Sequence, residues 1–151
     1  SATCRTRSTR RTGAAAESEA GALDDKMLLD LQVLERKKYN LLNDVMDLSQ
    51  QLATAMDRND QVSVRMLVAM RQDPLTQLEE VKHNLSRRLL EFSPDDQDLA
   101  PRLLQGEAGS SPREQAVADQ SNVNRRLLER IIELDRRLNH RMTGDKSYYK
   151  K

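Results

Sequence analysis

Residues 24–56 read DDKMLLDLQVLERKKYNLLNDVMDLSQQLATAM, and the spacing of their apolar side chains decides the fold class. Met27, Leu31, Leu34, Leu41, Val45, Leu48 and Leu52 recur at steps of three and four with an interruption at Lys38, which places them on one face of a 3.6-residue helix. Leu28, Tyr39, Leu42 and Met46 widen that stripe beyond the narrow seam of a two-stranded coiled coil. A helix with so broad an apolar face needs more than one neighbour, so the segment predicts an all-α bundle.

Working outward, Asp57 to Asp60 supply turn residues and an N-cap for a second helix over 61–92. Leu67, Arg71, Pro74, Leu78, Val81, Leu85 and Leu89 keep one register across that helix. Proline inside a helix removes a hydrogen bond and costs about 3 kcal/mol unless the backbone adapts. Because the register survives Pro74, a kink is expected there and not a restart. The stretch 93–121 holds Pro94, Pro101 and Pro112 with Gly106 and Gly109, and reads as a mobile connector over 93–115 with one brief helix near 96–105. A last helix then begins between Arg113 and Asp119 and ends near Met142, with Gly144 placed as its C-cap. The predicted architecture is an elongated antiparallel hairpin with a third, C-terminal helix packed along it, bundle-like, over 24–144.

Outside this domain lie two tails. Residues 1–23, built from Ser, Thr, Arg, Ala and Gly, have no apolar period and are expected to be disordered. An organellar targeting segment, or a gene start at Met27 that leaves residues 1–26 without a role, are the alternatives. Residues 145–151, DKSYYKK, read as an exposed tail with two of the three tyrosines of the chain.

Composition narrows the function classes. The 151 residues include one Cys, so no intrachain disulfide can form and a cytoplasmic, reducing compartment is expected. No apolar run approaches the roughly 18 residues that span a bilayer, so membrane insertion is not expected. His83 and His140 lie far apart without metal-ligand spacing, the five glycines form no phosphate loop, and the serines have no base partner. Neither an enzyme nor a cofactor is expected.

Charge is unevenly placed. Residues 23–121 carry twelve basic and eighteen acidic side chains, whereas 122–151 carry nine and four. Arg125, Arg126, Arg130, Arg136, Arg137 and Arg141 could track phosphates, but Glu129, Glu133 and Asp135 are interleaved with them and the sequence pI is near 7.9. Those arginines read as a solvated face, and no nucleic-acid partner is expected.

Within the C-terminal helix, Val123, Leu127, Ile131, Leu134 and Leu138 alternate at steps of four and three. Such a seam either closes the bundle or covers a partner helix, and Tyr148 and Tyr149 either fold back near Tyr39 or meet a partner. The methionines Met46, Met56, Met66, Met70 and Met142 suit adaptable surfaces as well as cores. A helical binding module, with a generic scaffold or adaptor as the alternative, fits this pattern better than any catalyst.

Three segments carry a more specific likeness: LLDLQVLERKKYNLLNDVMDLSQQLATAM, then RNDQVSVRMLVAMRQDPLTQLEEV after a tight turn, and NRRLLERIIELDRRLNHRMTGDKSYY at the end. Across about 26–149 the chain resembles the FlgN family of flagellar type III export chaperones. The resemblance implies a small cytoplasmic helical protein that binds hook-filament junction (hook-associated) subunits, prevents their premature polymerisation and delivers them to the flagellar export gate. It implies that Val123, Leu127, Ile131, Leu134 and Leu138 face the subunit, and that Tyr148 or Tyr149 docks at the gate. A homodimer is left open.

Overall fold

The computed structural model describes residues 24–144, all of whose regular structure is helical: α1 (Asp25–Asp57), α2 (Gln61–Leu90), α3 (Pro94–Leu104) and α4 (Pro112–Gly144). The expectations for residues 1–23 and 145–151, and for Gly144 as a C-cap, depend on residues outside that range. Two compact units share the long helices: one contains 24–35 and 84–122, the other 36–83 and 123–144.

In the first unit, Leu28 and Leu31 of α1 pack with Phe92, Ala100, Leu103, Val117 and Ala118 into one apolar cluster. The stretch expected as a mobile connector over 93–115 is therefore folded, and it supplies two of those seven core side chains, Ala100 and Leu103. Pro94 and Pro112 start helices here, and Pro101 lies inside α3. Ser93 and Ser111 are each followed by proline, and each hydroxyl accepts a backbone N–H three residues on, from Asp96 at 3.3 Å and from Glu114 at 3.1 Å. Proline at the first helical position loses nothing, because its missing N–H would have had no intrahelical partner. Helix α4 thus begins at Pro112, and the buried Glu114 carboxylate accepts from both the Ser110 amide (2.9 Å) and hydroxyl (3.0 Å). Between α3 and α4, Gly106 has φ +92°, its amide donates to the Leu103 carbonyl, and the Glu107 amide donates to that of Arg102. These two bonds close a Schellman cap that needs a left-handed residue.

Polar side chains tie the same unit together. The Ser121 hydroxyl donates to the buried Glu35 carboxylate at 3.2 Å. Arg88 pairs with Asp30 and Glu91. The Asp30 carboxylate, and after it Glu91, holds the guanidinium pKa above its ordinary value.

In the second unit α1 and α2 form a tight hairpin. The Asn59 amide donates to the Met56 carbonyl and the Asp60 amide to that of Ala55, both at 2.9 Å, while Asn59 takes φ 58°. Asparagine tolerates that left-handed conformation better than most residues. Asp60 then caps α2, accepting from the Ser63 amide at 3.1 Å and the Ser63 hydroxyl at 2.7 Å. Helix α2 runs on through Pro74, which is buried. No restart occurs there, since the register of the apolar stripe gives a broken helix nothing to gain.

The Ser63 hydroxyl, followed by the Ser63 amide, holds the Asp60 carboxyl below its usual pKa. A depressed carboxylate pKa contributes stability that is complete above the unfolded value and is lost as pH falls through the folded one. Asp60→Ala should therefore lower the thermal midpoint by roughly 2–4 °C at pH 7, and by less once Asp60 is protonated. Circular dichroism melts at pH 7 and pH 2.5 check this.

Candidate functional site

The second unit holds all the described residues expected to meet a partner. Leu127 and Ile131 of α4 lie in a cluster with Leu42, Val45 and Met46 of α1. Leu138 and Met142 lie in another with Leu52, Ala55, Met56, Val64 and Leu67. Leu134 touches both clusters and is half-buried. Val123 alone is exposed, at 37%. Four of the five seam residues thus serve to close the unit's own core, and a partner reaches them only if α4 leaves. Tyr148 and Tyr149 lie outside the described residues.

Polar contacts hold α4 in place over this core. Arg71 donates to both carboxylate oxygens of Asp135, at 2.7 and 3.0 Å, and Arg141 pairs with Asp57 at 3.0 Å. The Arg71 pair is the more shielded of the two, so it carries more of the electrostatic attraction; the Arg141 pair is exposed and contributes little. Of the arginine face, Arg136 and Arg137 both reach Glu133 within the helix, which spends their charge locally.

The core leaves several apolar side chains exposed, among them Leu128 and Ile132 on α4 and a row on α2. Val62, Met66 and Met70 follow one another at steps of four and are 74%, 54% and 48% exposed. They lie on a different face from Val64 and Leu67, which point into the core. Beside this row, two open hollows of about 280 Å³ each run between α1 and α2. The first lies between Gln51 and Thr54 on α1, Arg58 in the turn, and Ser63 and Met66 on α2. The second lies between Asp44 and Asp47 on α1 and Met70, Asp73 and Pro74 on α2. Met70 is one turn beyond Met66, and Gln51 one turn beyond Asp47, so the hollows continue one another along a single groove. A third hollow, of about 350 Å³, lies between α1 and α4 and is lined by Met46, Leu134, Arg130 and Arg137.

Among the described residues no three His, Cys, Asp or Glu side chains gather as a metal site, and His83 and His140 are both exposed. No helix of the described residues is long and apolar enough to cross a membrane. The arrangement offers apolar contact area bordered by charge. Comparison with known proteins finds no matching family model, no curated relative and no similar solved structure.

Proposed function

We propose that this protein is a cytoplasmic export chaperone of the FlgN kind, a non-catalytic helical protein that holds hook-filament junction subunits unpolymerised and passes them to the flagellar export gate. The observation that supports this most is the row Val62, Met66 and Met70, left exposed on a unit whose own core α4 already closes. A monomer bound for polymerisation must have its own amphipathic surface covered, and an apolar helical face does so through contacts that also permit release. On this reading residues 24–144 form an elongated antiparallel hairpin with α4 along it, nucleic acid and membrane are not the protein's partners, and either Tyr148 or Tyr149 engages the gate.

Co-expression with each junction subunit from the same genome should retain one of them through purification. Failure with every junction subunit ends the proposal. Removing residues 145–151 should leave the helical circular dichroism signal and the melting midpoint within about 2 °C of the full chain, because a surface change away from packed features alters stability little. The same truncation should weaken gate binding while the subunit complex persists.

A further inference from the structure

The groove between α1 and α2 differs in charge at its two ends. Asp44, Asp47 and Asp73 surround the far hollow, and none of the three forms a salt bridge among the described residues. Gln51 donates to Asp47 at 2.9 Å and Gln77 to Asp73 at 3.1 Å, so two of these carboxylates keep neutral partners only. At the other end, near the turn, Arg58 and Asp60 line the hollow together, so that end carries one charge of each sign. Between the ends the floor is apolar: Leu48, Ala55, Leu67 and Pro74 line it, and Met66 and Met70 rise along one wall. From Asp44 to Arg58 the groove follows α1 for about 21 Å, at 1.5 Å per residue.

We propose that this groove takes an amphipathic helix of about four turns from another protein, its apolar side on Met66 and Met70, with lysine or arginine at the end against Asp44, Asp47 and Asp73. Charge decides the partner's composition. Three carboxylates line one hollow with no cation paired to them among the described residues, and a cationic helix end complements them while also fixing the direction in which the helix lies. Thioether side chains decide the tolerance, since methionine repacks around leucine, valine or phenylalanine with little loss. The inference deepens the chaperone reading and rests on it only for the source of the helix. It places the contact on α1 and α2, away from the Leu127 to Leu138 seam.

The test uses the full chain and two fluorescent 16-residue helical probes of one leucine pattern, one ending in three lysines and the other in three glutamates, titrated by anisotropy. The lysine probe should bind at least tenfold more tightly than the glutamate probe. Met66→Glu with Met70→Glu should weaken it at least tenfold while the melting midpoint is kept, because both side chains are already exposed. Asp44→Lys, Asp47→Lys and Asp73→Lys together should reverse the order of the two probes. Equal binding of both probes, or binding indifferent to the methionine changes, overturns the proposal. So does a wild-type dimer that the methionine changes convert to monomer, since the groove then belongs to a second copy. A junction subunit retained equally by wild type and the methionine variant refutes the groove and leaves the chaperone role standing. Probe binding without retention of any subunit does the reverse.

Discussion

Ile131→Asp should unfold the second unit or leave it barely stable, with a loss of about 4–5 kcal/mol or more in a urea titration. Ile131 is 4% exposed within the cluster of Leu42, Val45 and Met46. The substitution removes its packing and asks a carboxylate to sit in an apolar cluster. Against a total stability of about 5–15 kcal/mol, such a loss is most of what holds a small domain together. The neighbouring residue provides the control. Ile132 is 43% exposed, and Ile132→Asp should change stability by about 0.5 kcal/mol or less. A seam reserved for a partner gives the opposite pattern: Ile131→Asp folds normally and fails only in binding.

A second large effect is expected at Gly106. Its φ of +92° is one that L side chains rarely adopt, and a Cβ there would lie 2.0 Å from the Asn122 side-chain oxygen. Asn122 cannot simply swing away, since its amide nitrogen donates to the Gly106 carbonyl at 3.1 Å. Gly106→Ala should therefore cost about 2–3 kcal/mol, from left-handed strain and a lost hydrogen bond together. Asn122→Ala alone should cost about 1 kcal/mol. The double variant should cost less than the two losses added, because the clash and the bond involve the same side chain. Urea midpoints for the three variants check this; full additivity would mean that Gly106 acts through backbone strain only.

The long helices were legible because burial imposes a 3.6-residue period, and α1, α2 and α4 carry it plainly in their leucines. Even Pro74 was readable, since Leu67 and Leu78 keep their register on either side of it. The segment 93–121 was read differently from what it is. Proline breaks a helix that precedes it and starts one that follows, and residue counts alone do not separate these roles. Position does: Ser93-Pro94-Asp95-Asp96 and Ser111-Pro112-Arg113-Glu114 repeat one cap pattern, serine, proline, then an acid three residues after the serine. That repeat was the available signal for α3 and for the true start of α4. Phe92, the single phenylalanine, stands directly before the first of them as a core residue.

The candidate site was harder to read for a different reason. A stripe that closes a bundle and one that covers a partner have identical spacing, so the five apolar residues of α4 could not be assigned from sequence. Tertiary packing separates them: α1 and α2 present Leu42, Val45, Leu52, Met56 and Leu67 to that stripe. Val62, Met66 and Met70 are also helically spaced, but on a face of α2 that the core does not use. Which face stays open depends on where α4 lies, and that follows from three-dimensional packing alone. The charges at the ends of the groove come from Asp44 and Asp47 on one helix and Asp73 on another, a set that only the hairpin brings together.

Hydrogen exchange of the full chain, free and mixed with a junction subunit, tests most directly whether partners meet the open α1–α2 face. The account predicts added protection across 44–58 and 62–77, with 127–138 exchanging as slowly as in the free protein. Protection gained over 123–138 while 62–77 exchanges as before would contradict it.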